Sequence, residues 1–223
     1  MSNIPMLLAM PRSKLQELLL SQIKNLFLLD EQSEPSILDE NLQESLDRAA
    51  ICFSLSTNKY YQQDGKVFFN PLHTAQYGIF LYFLANTIWK RYGAIAICDK
   101  LYALGKVINA LDLFYEIQMP DVFFMDHPVG SVLGRAQYGR FFSFSQNCTI
   151  GNNKGVYPII GEHVQMMSYS RVIGRSRIGN HVVISSGTFI KDQDVPDFSL
   201  VFGASPNLII KSRPVDYFQN SLQ

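Results

Sequence analysis

The sequence predicts an α+β chain, an α-helical half followed by a parallel β-solenoid with three flat sides. Three observations lead there. An apolar residue recurs every six positions at Ile160, Met166, Val172, Ile178, Ile184 and Ile190. Four positions after each of the first five stands a small or β-branched residue: Val164, Ser170, Ser176, Val182 and Thr188. Upstream of about Pro120, apolar residues fall at helical spacing instead. Neither a helix nor an alternating strand gives a six-residue step. A stacked solenoid with one hexad per side does. The apolar residue points into the prism, and the small residue fits the tight corner.

Taken in order, Ser13 with Gln16 has the spacing of a capping box. It is expected to open a helix striped by Leu15, Leu18, Leu19, Ile23 and Leu26, with Pro35 ending that element. A second helix carries Leu38, Leu42, Leu46 and Ala49 on one face. Residues 57–70 are polar and Tyr-rich around Asp64-Gly65, which signals a loop or short hairpin. Helices are expected from Leu72 to Trp89 and from Gly93 to Leu113, with Gly105 a weak point in the latter. Tyr138, Phe144 and Ile150 continue the hexads backward. From Ile150 to Ile160 the step is ten, so four extra residues loop out within Gly151 to Pro158. Insertions in a solenoid gather on the binding face. The hexads stop near Asp194-Val195-Pro196, and Phe198 to Lys211 reads as a last coil or cap. The expected domains are helical (residues 1–118), solenoid (119–211) and tail (212–223). Three to four coils are too short a stack to stand uncovered.

Charge narrows the partners. Lys+Arg and Asp+Glu are both 19, so there is no basic field to hold nucleic acid. Cys52, Cys98 and Cys148 form no CxxC pair and no disulfide framework, which fits the cytoplasm. Cys148 takes a small corner position and is expected as a buried thiol. Met1 to Pro11 lacks the basic flank and cleavage signature of a signal peptide. The apolar run Tyr77 to Trp89 is broken by Asn86 and too short for a membrane span.

The histidines are His73, His127, His163 and His181. His127 stands in Met125-Asp126-His127-Pro128, where helices give way to the solenoid. A neutral imidazole titrates close to working pH, which suits removal of a proton from an alcohol. The other reading of His127 is a polar residue at a domain junction. The whole order is a helical domain, an Asp-His pair, hexads, Asp-Val-Pro, and the closing Gly203-Ala204-Ser205-Pro206. It resembles the serine acetyltransferase family of left-handed β-helix acyltransferases, over about Leu72 to Lys211. The resemblance implies a left-handed parallel β-helix and direct acetyl transfer from acetyl-CoA to a hydroxyl, with no metal. It implies His127 as base, Asp112, fifteen residues earlier, as the carboxylate that orients it, and Asp126 beside the acceptor. A carboxylate on the second ring nitrogen fixes the tautomer and stabilises the imidazolium. Solenoid backbone N–H groups serve the developing oxyanion. The pantetheine arm is implied along Asn152, Ser168 and Ser186, with Lys211 and Arg213 toward the coenzyme phosphates. The family further implies a homotrimer or a dimer of trimers. His73 reads first as a helix-start residue and second as a candidate for the acceptor pocket.

One departure bears on the acceptor. Serine-using members carry Arg-His-Pro where this chain has Val156-Tyr157-Pro158. Without a guanidinium, the bidentate partner for a carboxylate is gone. Tyr157 can hydrogen-bond or stack on a sugar ring, so the expected acceptor is a sugar or polysaccharide hydroxyl. The alternative is serine O-acetylation in cysteine biosynthesis. Two other classes stay open. His163 and His181 are eighteen residues apart and should stack on adjacent coils roughly 4.8 Å apart, either facing outward or as ligands of a carbonic anhydrase-like metal enzyme, which needs a third ligand. A non-catalytic scaffold is the last class.

Overall fold

The computed structural model describes residues 4–217. They form two compact units. One runs up to Asn109 and includes Phe114–Glu116, and the other holds Ala110–Leu113 and everything from Ile117 onward.

The helical unit opens with β1 (Met6–Leu8) and α1 (Arg12–Leu26). Pro11 is the N-cap, and no side chain caps the helix. The expected Ser13–Gln16 box does not form, because Ser13 already lies inside the first turn and the Lys14 and Leu15 amides both donate to the Pro11 carbonyl. Pro35 does not end the first helix; it sits in the first turn of α2 (Glu34–Ser54). There a missing N–H costs nothing, since it has no intrahelical partner. The Asp64-Gly65 signal makes the hairpin of β2 (Gln62–Gln63) and β3 (Lys66–Phe69), both turn residues having positive φ. β1 adds to β3 in parallel, in the order β1-β3-β2. Then come α3 (Thr74–Tyr92) and α4 (Ala96–Asn109). Gly93, at φ +77, separates the two. The last helix stops four residues short of the expected Leu113. Ala110 takes φ +50, and Asp112 enters a strand of the solenoid unit.

That unit comprises β4 (Asp112–Leu113), β5 (Phe123–Met125), β6 (Val132–Leu133), β7 (Gln137–Tyr138), β8 (Phe142–Phe144), β9 (Thr149–Gly151), β10 (Ile159–Ile160), β11 (Gln165–Met166), β12 (Arg171–Ile173), β13 (Arg177–Ile178), β14 (Val182–Ile184), β15 (Phe189–Lys191), β16 (Ser199–Ala204) and β17 (Asn207–Ser212). Three parallel ladders make the sides: β4-β6-β9-β12-β15, β5-β8-β11-β14-β16 and β7-β10-β13. Residues eighteen apart are in register, as in Ile160↔Ile178, Met166↔Ile184 and Val172↔Ile190. Two sides are five strands deep, more than the three to four coils expected. The hexads already run at Leu113, Met119 and Met125, but the next inward residue, Leu133, comes eight positions later and hides the period.

The apolar hexad residues from Phe144 to Ile190 are at most 3% exposed, and the small corner residues Val164, Ser170, Ser176, Val182 and Thr188 at most 1%. Each fully buried aliphatic side chain contributes roughly 1.5–3 kcal/mol, and the three inward columns, one per side, make up the core of the narrow prism. The Cys148 thiol lies inside it, 3.2 Å from the Met167 carbonyl oxygen. Left-handed residues turn the corners. One corner stacks Gly130, Asn147, Tyr169 and Gly187, and another stacks Phe141, His163, His181 and Phe198, all at φ between +53 and +75. An antiparallel hairpin of β16 and β17 ends the stack, turning at the cis Ser205-Pro206 peptide.

Candidate active site

The first corner carries His127. Met125 is in register with Phe144, and the Asn147 amide donates to the Val129 carbonyl at 2.9 Å. Three residues, Asp126 to Pro128, therefore stand opposite one, Ser145. This two-residue bulge pushes the His127 side chain out of the wall, leaving it 84% exposed, with its backbone at φ +48. Its Nε2 is 3.6 Å from Asp126 Oδ1. On the coils that follow, the same edge presents Gln146, Ser168 and Ser186. The two serine hydroxyls lie 3.3 Å apart on adjacent coils. Three sequence-predicted positions thus share one edge: a base candidate at its head and a ledge of small residues along it. Asp112 lies in the strand just past this corner, on the coil before His127, paired with Val132. Its neighbour Leu113 points inward.

The second corner carries the looped-out segment. Gly151 is in register with Ile173, and Ile159 with Arg177. Seven residues on this coil therefore face three on the next, the four-residue insertion read from the sequence. Asn153 and Val156 exchange both backbone hydrogen bonds, at 2.9 and 3.0 Å. Lys154 and Gly155 between them have φ +51 and +82, the geometry of a tight primed turn. The Asn152 side chain accepts from the Gly155 amide at 3.2 Å and donates to the Tyr157 hydroxyl at 3.3 Å. The Tyr157 ring rests on Gly134, where an added Cβ would come within 2.7 Å of Cε1.

The predicted residues therefore divide. His127, Ser168 and Ser186 belong to one edge of the prism, while Asn152 and Tyr157 belong to the next. A side of about five residues, roughly 16 Å at strand rise, separates them. Lys211 lies on β17, its ammonium 5.6 Å from the centre of the Phe202 ring. His73 belongs to the helical unit. It is the N-cap of α3, its Nδ1 accepting from the Gln76 amide at 3.3 Å, so the helix-start reading has a bond behind it. His163 and His181 do stack, with ring centres 4.7 Å apart and planes 8° apart. Phe141 and Phe198 close the column on either end. Face-to-face rings set their nitrogens side by side rather than converging on one point. Among the described residues, no group of three or more His, Cys, Asp or Glu side chains is placed to hold a metal, and no helix is long and apolar enough to cross a membrane.

Sequence reasoning missed three features around these edges. Gly134 is the floor under Tyr157; its only signal was a glycine one coil before the insertion. Tyr169, 58% exposed, stands beside Ser168 in a left-handed conformation. Asp192 and Asn153 join across the second corner at 2.6 Å, thirty-nine residues apart in sequence.

No protein-family model and no curated protein matches the chain. Solved structures do. A serine acetyltransferase from Neisseria gonorrhoeae aligns at 17% identity with a TM-score of 0.70, covering 93% of this chain and 82% of that one. Serine acetyltransferase 1 from Entamoeba histolytica in complex with L-cysteine aligns at 17% identity and TM-score 0.60, covering 91% and 90%. A serine acetyltransferase in complex with CoA aligns at 17% identity and TM-score 0.65, covering 90% and 84%. Helices followed by a parallel hexapeptide solenoid are thus common to all four chains, and this protein has the fold of the serine acetyltransferases.

Proposed function

We propose that the chain is an acetyl-CoA-dependent O-acetyltransferase acting by direct transfer. The observation that carries this reading is the bulge that lifts His127 out of the wall at the head of the Ser168–Ser186 ledge. An extended pantetheine arm fits a ledge of small hydroxyl residues, and it would bring its thioester toward the bulge. Lys211 is the cation assigned to the coenzyme phosphates. His127 takes the acceptor proton, Asp112 orients the imidazole, and Asp126 helps place the acceptor. No step calls for a metal. The serine acetyltransferase structure with bound CoA supports the co-substrate.

The division of the site between two edges supports a homotrimer, alone or doubled, in which Tyr157 and Asn152 of one copy face His127 of the next. The cytoplasm, where acetyl-CoA is at hand, is the assigned compartment. For the acceptor we favour a sugar or polysaccharide hydroxyl, because the loop offers Val156 and Tyr157 and no guanidinium. Serine is the second reading, favoured by the identity of the structural neighbours, one of which binds L-cysteine. The test is release of free thiol from acetyl-CoA across serine, nucleotide sugars and glycans. Turnover with at least one hydroxyl acceptor is expected; no thiol release with any of them would leave the scaffold reading standing.

A further inference from the structure

The looped-out segment is clamped to the coils that follow it. Asn153 Nδ2 donates to Asp192 Oδ2 at 2.6 Å, and the other carboxylate oxygen, Oδ1, accepts from the Arg175 amide at 2.9 Å. One carboxylate thus joins the insertion to the next two coils, Arg175 lying one coil and Asp192 two coils further along the chain. Gly174 makes the close approach possible. A Cβ there would fall 2.1 Å from Asp192 Oδ1 and 2.7 Å from Asn153 Cβ, distances no side chain tolerates. Asp192 itself takes φ +52, a left-handed conformation that Asp tolerates better than bulky residues. These restraints act on a loop that is already closed on itself by the Asn153–Val156 pair and by Asn152. An insertion on a binding face commonly serves as a mobile lid. This one is built as a fixed shelf, with Tyr157 wedged between Gly134 and Asn152.

We infer that Asp192 is a positioning residue. Through Asn153 it fixes the turn that presents Lys154 and Tyr157, and so sets the geometry of acceptor binding without touching the acceptor. The inference rests on the acetyltransferase reading for its kinetic consequence and on the hydrogen bonds alone for its structural one. Asp192 acts at a distance from the Ser168–Ser186 ledge, so acetyl-CoA should be handled as before. Loosening groups that only bind the acceptor weakens ground state and transition state alike, which raises the acceptor KM and leaves kcat little changed.

Hydrogen exchange and kinetics on the full chain test it together. In Asp192→Ala and in Asn153→Ala, the amides of Gly155 and Val156 should exchange about tenfold faster or more, as the local opening free energy falls. The KM for the best acceptor in the thiol-release panel should rise about tenfold, with kcat and the KM for acetyl-CoA within about twofold. The reciprocal pair, Asn153→Asp with Asp192→Asn, reverses donor and acceptor across the same gap and leaves an oxygen for the Arg175 amide. It should restore both readouts. Because the pair also tests Asp192 without truncating it, a folding defect in the alanine variant does not decide the matter. Unchanged exchange in both single variants would overturn the clamp. Faster exchange with an unchanged acceptor KM would overturn the positioning role. An unaltered protein that transfers no acetyl group would instead count against the acetyltransferase reading, and the exchange measurement would still judge the clamp.

Discussion

His163 and His181 stack face to face, their ring centres 4.7 Å apart and their planes 8° apart, between the rings of Phe141 and Phe198. The eighteen-residue interval between them is one full coil, so the stack is the solenoid register made visible in side chains. It also has a cost. Burial, and then the neighbouring His181, hold the His163 imidazole below its ordinary value; Glu162 works the other way, and Arg140 reinforces the shift. Its Nδ1 is buried without a hydrogen-bond partner among the described residues.

Acid should therefore weaken the solenoid earlier than carboxylate titration would. The unfolded imidazole protonates at about 6.5, and the folded one only at lower pH. Between those values the unfolded chain holds the extra proton, so stability is complete above about pH 6.5 and falls as pH drops. Asp192, held low chiefly by the Arg175 amide and also by Asn153, loses its contribution only further down, below about pH 4. Thermal melts between about pH 8 and 5 should show a falling Tm, and His163→Phe should flatten that slope. An equal slope in the variant would show that the stack is not the source of the acid sensitivity.

Gly134→Ala should disturb the acceptor side without touching it. The new Cβ would meet the Ile150 carbonyl oxygen and Tyr157 Cε1, each at 2.7 Å. Backbone cannot yield as a side chain can, so overpacking of about 1–3 kcal/mol is expected. Urea melts should show that loss, and acceptor KM should rise. Full stability with unchanged kinetics would mean that the Tyr157 ring is free to lie elsewhere.

Two edges of one prism cannot close a single site across roughly 16 Å of side. Light scattering at micromolar concentration should accordingly give a trimer or a multiple of three. A well-folded, fully active monomer would contradict a site shared between copies.

Free serine should be a poor acceptor beside a sugar hydroxyl. A carboxylate left in a closed site without its charged partner costs several kcal/mol, about a hundredfold or more in affinity. Steady-state kinetics with both acceptors decide the point. Efficient serine acetylation would move attention to Lys154, the cation at the loop tip. Val156→Arg with Tyr157→His installs the Arg-His pair of serine-using enzymes and should raise serine turnover.

The solenoid was legible because its inward residues recur with a strict period of six, and the hexad residues Ile160, Met166, Val172, Ile178, Ile184 and Ile190 are all buried. The first coils were not. There the bulge at Asp126–Pro128 and the step from Met125 to Leu133 break the period, so Asp112 was read at the end of a helix when it stands in a strand. The four-residue insertion was legible from the ten-residue step, but its clamp was not, since Asn153 and Asp192 are joined only by the coil geometry. Corner conformations were also hidden. His, Phe, Tyr, Asn and Asp take left-handed positions where a sequence signal would demand Gly. At the helical end, local signals misled at Ser13 and Pro35, because a cap and a breaker are told apart only by where the first turn begins.

The role proposed for His127 is removal of the acceptor proton. The most direct test is thiol release from acetyl-CoA by His127→Ala, with coenzyme A binding measured on the same preparation. Turnover lower by at least about 100-fold, the scale for loss of a general base, is expected, with coenzyme A affinity and Tm nearly unchanged, since the side chain is 84% exposed. Near-normal turnover in that variant would contradict that role.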